Sequence, residues 1–202
     1  AGDVNGEGYD DVIVGAGFYD AGLSDVGAAF VYLGSASGLA TTAAWQAESA
    51  RENATFGASV SGVGDIDGDG FDDVAVGAPG KFFSAAVADG AVSVFHGGAG
   101  GLSTTAHWEM GPEFATSRFG ISVSGAGDVD GDGYADVVVG ADMHSGGATS
   151  GGAAFVFLGT STGLSTTASW SMESDQAYAR YGSSVSSAGD VDGDGYDDIV
   201  VG

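Results

Sequence analysis

Residues 65–73 read Asp65-Ile66-Asp67-Gly68-Asp69-Gly70-Phe71-Asp72-Asp73, five carboxylates and two glycines in nine positions. The pattern returns as DVDGDGYAD at 128–136 and DVDGDGYDD at 190–198, and more loosely as DVNGEGYDD at 3–11. Two carboxylates about 4 Å apart repel by roughly 4 kcal/mol at an effective dielectric near 20. A folded loop therefore gathers four of them only around a cation. Acids at positions 1, 3, 5 and 9 alternate with small or apolar residues, which turns several oxygens inward. Glycines at positions 4 and 6 give the backbone the angles such a turn needs.

An all-oxygen cage suits a hard cation with six or more ligands. Calcium fits better than magnesium, which keeps more of its own waters. The chain has no cysteine, and no histidine falls in the loops, which argues against zinc. About four calcium sites are expected. The first is Asp3, Asn5, Glu7, Tyr9 and Asp11, and the second is Asp65, Asp67, Asp69, Phe71 and Asp73. The third is Asp128, Asp130, Asp132, Tyr134 and Asp136, and the fourth is Asp190, Asp192, Asp194, Tyr196 and Asp198. The aromatic residue in each set is expected to lend its backbone carbonyl. The opening D-x-D-x-D-G also begins an EF-hand loop, but that loop needs Glu at position 12. Here position 12 is Val76, Val139 or Val201, and an apolar run follows the last acid. The loops are therefore expected between strands.

The loops start at 3, 65, 128 and 190, a period of 62 or 63 residues, and other landmarks keep that step. GAAFVYLG (27–34), GAVSVFHG (90–97) and GAAFVFLG (152–159) are copies, as are GLATTAAW (38–45), GLSTTAHW (101–108) and GLSTTASW (163–170). Each unit reads as four short strands. The first is FGASVS (56–61) and its copies, and the metal loop follows it. The second is DVAVG (73–77), with DVIVG (11–15), DVVVG (136–140) and DIVVG (198–202), nearly continuous apolar runs expected to be buried on both faces. The third is the GAAFVYLG type, and the fourth is expected to end at the tryptophan. Thr41-Thr42, Thr104-Thr105 and Thr166-Thr167 are assigned to strand pairing. Four strands repeated at this period predict an all-β propeller of four-stranded antiparallel blades.

FGASVSGVGDIDGDGFDDVAVGAP (56–79) closely resembles the FG-GAP repeat of integrin α-subunit propellers and their bacterial relatives. FGISVSGAGDVDGDGYADVVVGAD (119–142) matches with Asp142 in place of proline, and YGSSVSSAGDVDGDGYDDIVVG (181–202) with tyrosine for phenylalanine. The resemblance covers essentially the whole chain. It implies a calcium-stabilised propeller, usually of seven blades, extracellular or at the cell surface, and often a binding role. It also implies ligand roles for the Asp residues at loop positions 1, 3, 5 and 9. The expected layout is one propeller segment over 1–202, with a partial blade at 1–55, blades at 56–118 and 119–180, and a partial blade at 181–202. About three blades are present, open at both ends. This leaves two expectations: a piece of a longer protein, or blades completed between chains through their open edges.

Composition narrows the partners. Net charge is −24, with 4 Lys and Arg against 28 Asp and Glu, which disfavours nucleic acid and anionic membrane surfaces. No apolar run approaches the length of a membrane-spanning helix. The 39 glycines and 2 prolines point to many tight turns.

The calcium loops mark one face of the blades. The opposite face receives 16–26, 46–55, 78–89, 109–118, 141–151 and 171–180, which vary between repeats and hold all four basic residues. Binding residues concentrate on such loops. A protein or glycan partner is therefore expected near Arg51, Lys81, Arg118 and Arg180. Trp45, Trp108 and Trp170 are expected between blades, and Phe56, Phe119 and Tyr181 in the core. No catalytic residue is expected. His96, His107 and His144 occupy three different repeat positions, with no nucleophile motif beside them. The reading is an interaction or adhesion module. Two alternatives stay open: a filament subunit joined by blade completion, and an accessory propeller of a larger secreted enzyme.

Overall fold

The computed structural model describes residues 1–80, 82–84, 87–111 and 117–202. Every regular element among them is a strand. Strands β1 (Val12–Ala16), β2 (Ala28–Tyr32) and β3 (Trp45–Glu48) form the first sheet. The second holds β4 (Ser59–Gly64) and β5 (Asp73–Gly77). A short hairpin follows, β6 (Phe82–Ser84) with β7 (Val87–Ala88), and then β8 (Val92–Phe95) and β9 (Trp108–Met110) complete the sheet. The third sheet is β10 (Ser122–Gly127), β11 (Asp136–Ala141), β12 (Ala153–Phe157) and β13 (Trp170–Glu173). The last pairs β14 (Val185–Gly189) with β15 (Asp198–Val201). Neighbouring strands are antiparallel and follow chain order, so each sheet is an up-and-down propeller blade, and the blades form an open arc.

The apolar runs go where both sheet faces are covered. All of β5 and β11 is buried, because each lies mid-sheet with a blade on either side. The same kind of sequence in β1 and β15 leaves Val14 45% and Val200 56% exposed. Burial on both faces, expected for all four runs, thus holds for the two inner ones. The outer two belong to the end sheets, which have a neighbour on one side only.

The tryptophans mark the start of the fourth strand, not its end: β3, β9 and β13 begin at Trp45, Trp108 and Trp170. Each enclosed indole reaches the next blade. Trp45 Nε1 donates to the Ser103 carbonyl at 2.8 Å, and Trp108 Nε1 to that of Ser165 at 3.1 Å. Their rings meet Phe95 and Phe157 edge-on. Those anchors place the tryptophan at the blade interface and start the ladder there. The threonine pairs fall in the bends before it, outside the ladders. In the second blade Ser103 Oγ bonds both the carbonyl and the N–H of Thr105, a local bond that competes with strand pairing.

Blades are also joined through backbone. Parallel bridges link Gly27 to Phe56, Gly90 to Phe119 and Gly152 to Tyr181. Gly90 needs to be glycine: its φ is +86°, and a side chain would meet the Phe119 carbonyl. Within the blades, Gly57 N–H donates to Gly77 and Gly120 N–H to Gly140, closing each first strand over the end of the second. Phe56 and Phe119 are buried as expected, whereas Tyr181, in the last sheet, is half-buried. Register shifts at Gly62/Gly64, Gly125/Gly127 and Ser187/Gly189 end the first strands and turn the chain into the acidic loops.

Candidate metal centres

The four loops share one hydrogen-bonded frame. The position 1 carboxylate caps the turn. Asp65 Oδ1 accepts from Gly68 and Asp69 N–H at 2.7 and 3.1 Å, and Oδ2 from Gly70 N–H at 2.8 Å. Asp128 and Asp190 do the same in their loops. So does Asp3, whose carboxyl the N–H of Gly8, with those of Glu7 and Gly6, holds below the usual range.

Position 9 is the buried anchor. Asp73 accepts from Ile66 N–H at 3.0 Å and Gly97 N–H at 2.8 Å, and Asp136 accepts from Val129 and Gly159. Both carboxylates are fully buried. Burial pushes Asp73 up to about 7, against the opposing amides of Ile66 and Gly97, with Asp67 and Asp69 adding repulsion. Asp136 rises to about 6 for the same reason. An adjacent cation would relieve both.

Three loops bring acid oxygens together within 4.8 Å of one another: Asp65, Asp67 and Asp73; Asp128, Asp130 and Asp136; Asp190, Asp192 and Asp194. That spacing is the span across a calcium shell of about 2.4 Å radius. The donors are all carboxylate, so the sets fit a hard divalent ion. Asp69 and Asp132 stand outside these trios, and so does Asp198 in the fourth loop. Among the described residues the first loop forms no such trio, although Asp3 and Asp11 keep the frame. The position 7 rings lie on the neighbouring loop. A methyl at Gly6 would stand 2.6 Å from Phe71, and one at Gly68 or Gly131 would stand 2.7 Å from Tyr134 or Tyr196.

Sequence reasoning missed a contact made by position 8. Asp72 Oδ2 accepts from Asp3 N–H at 2.8 Å, and Asp72 N–H donates to the Asp3 carbonyl at 3.1 Å. Asp197 clasps Asp128 in the same two-point way, at 2.9 and 3.0 Å. Ala135 makes only the backbone bond, to Asp65 at 3.0 Å. The available signal was the repeat itself: Asp at this position in all loops but one.

On the opposite face, Arg118 and Arg180 converge on one buried carboxylate, Asp142 Oδ2, at 3.1 and 3.0 Å. Both arginines occupy the position before the aromatic-glycine motif, with φ of +55° and +59°. At the matching place in the second blade, Thr55 Oγ1 accepts from Gly80 N–H. Arg51 lines a cleft of about 460 Å³ between the outer strands of the first two blades, with Gln46, Glu48, Phe95 and Glu109. Lys81 lies outside the described residues. The histidines are scattered. His96 bonds Asp67 through Nδ1 at 2.9 Å and stacks on His107, while His144 bonds Glu173 across the third blade.

The description "FG-GAP repeat" matches residues 56–95, 119–157 and 181–202. Integrin alpha-5 of Xenopus laevis is 36% identical over 148 residues, covering 69% of this chain and 14% of the relative. Integrin alpha-IIb of Homo sapiens is 38% identical over 153 residues, again covering 69% and 14%. Integrin alpha-6 of Gallus gallus is 35% identical over 145 residues, covering 68% and 12%. The matched region is thus a small part of each relative. No helix among the described residues is long and apolar enough to cross a membrane.

Proposed function

The chain belongs to the FG-GAP repeat family, and on that footing we propose that it is a calcium-stabilised propeller segment, displayed outside the cell as an interaction or adhesion module. The supporting observation is the acid trio recurring in successive blades on one strand-flanked loop frame. Calcium supplies the positive charge that lets these carboxylates stay ionised side by side. This chain's residues do the rest: position 1 folds the loop, position 9 ties it to the third strand, and position 3 completes the oxygen set. Asn5 and Glu7 make the first loop the weakest of the four. Elemental analysis after dialysis against calcium tests this directly. Three or four ions per chain are expected, and fewer than one would contradict it.

The partner, a protein or glycan ligand, is assigned to the face opposite the metal loops. The contact is assigned to the cleft that Arg51 lines with Gln46, Glu48 and Glu109, the open groove between the outer strands of the first two blades. Arg51→Glu should abolish ligand capture while the blades stay folded. Retained capture would move the site elsewhere, and capture competed by free oligosaccharide would make the partner a glycan. No catalytic role is assigned. The exposed faces carrying Val12 and Val14 at one end and Trp170 and Met172 at the other are assigned to further blades, since the equivalent faces inside the chain pack blade on blade.

A further inference from the structure

The loops are tied to one another. From the second loop on, each carries a residue at position 8 that reaches the first residue of the preceding loop, and in the second and third loops that first residue, Asp65 or Asp128, belongs to the acid trio. At Asp128 both backbone groups are held by Asp197, the N–H by its carboxylate at 2.9 Å and the carbonyl by its N–H at 3.0 Å. Asp72 holds Asp3 identically, while Ala135 leaves Asp65 with the backbone bond alone.

We propose that the position 8 aspartates, Asp72 and Asp197, are positioning residues that couple neighbouring calcium loops, so that a loop's affinity is set partly by a side chain of the next blade. The inference rests on the calcium reading above. Ordering a loop costs conformational entropy, and a first ligand already fixed at both backbone groups has less to lose. An ion in the fourth loop orders Asp194 and Tyr196, next to Asp197, and so holds Asp128 ready for the third. Linkage makes the effect reciprocal: an ion in the third loop favours one in the fourth. The ring of Tyr196 over Gly131 reinforces this junction, as Phe71 does over Gly6. The alanine at 135 divides the row into two tightly coupled pairs, loops one with two and three with four, joined by a weaker middle contact.

The experiment is a calcium titration of the full chain labelled with nitrogen-15 glycine. The amides of Gly131 and Gly133 donate to Asp128 and report the third loop, and those of Gly68 and Gly70 donate to Asp65 and report the second. Asp197→Ala should weaken the third loop about threefold to tenfold, the worth of one such hydrogen bond, though it removes none of that loop's own acids. Asp197→Asn keeps the acceptor and loses the charge, so it should leave that midpoint near the native value. Ala135→Asp should tighten the second loop by a similar factor. An unchanged third loop in Asp197→Ala, an Asn variant as weak as the Ala variant, or no tightening with Ala135→Asp would each overturn the coupling. Glycine amides of the native chain that ignore calcium altogether would instead overturn the calcium reading itself.

Discussion

Trp108 in one blade and Phe157 in the next pack edge to face, with ring centroids 5.1 Å apart and planes at 66°. The indole is 7% exposed and also donates to Ser165. Its counterpart Trp170 is 38% exposed. Trp108→Ala should therefore cost about 3–5 kcal/mol, the range for emptying a buried aromatic site. Trp170→Ala should cost under about 1.5 kcal/mol on the same scale. Urea unfolding of the two variants checks the difference, and equal losses would mean that the blade interface is not where the stability lies.

Asp142 sets up a non-additive pair. Each arginine is partly exposed, so Arg118→Gln or Arg180→Gln alone should cost about 1 kcal/mol or less. Removing both strands a buried carboxylate, and that should cost about 3–5 kcal/mol. A double-mutant cycle on stability measures the excess. Strict additivity would show that the carboxylate finds other compensation.

The raised carboxyls give the metal-free protein a pH dependence of definite sign. Asp73 at about 7 and Asp136 at about 6 lie above the ordinary aspartate range, so the fold holds protons that the unfolded chain releases. Stability of the calcium-free protein should then fall as pH rises from about 4 to about 7, and be greatest below that window. Calcium needs the ionised forms, so its affinity should rise with pH across the same window, and binding near pH 6 should release protons. Unfolding midpoints of chelator-treated protein at pH 5 and pH 8, with calorimetry in two buffers, test both. A calcium-free protein more stable at pH 8 would contradict the burial argument.

Much of this was legible in the sequence, because a repeat exposes its own logic. The loop frame follows from alternating acids and glycines, and the second strands from runs such as Val137-Val138-Val139, buried where predicted. The fourth strand was misplaced because its signal is one tryptophan. Whether a ladder starts or ends there depends on Ser103 and Ser165, 58 and 57 residues downstream. The Thr104-Thr105 pair has strand propensity, but the Ser103 hydroxyl bends it out of the ladder. Asp72 looked like one more acid in its own loop, since its partner Asp3 lies 69 residues away. Arg118 and Arg180 were expected at a partner site because Asp142, standing where the motif has proline, gave no sign that it would be buried between them.

The most direct test of the account is the thermal melt with calcium and with excess chelator at neutral pH. At tenfold the dissociation constant each site adds about 1.4 kcal/mol. Three filled loops should then raise the melting temperature by about 10 °C, given about 2–4 °C per kcal/mol for a chain of this size. Magnesium at the same concentration should do much less. Superimposable melts in calcium and chelator would contradict the claim that calcium in these loops holds the blades together.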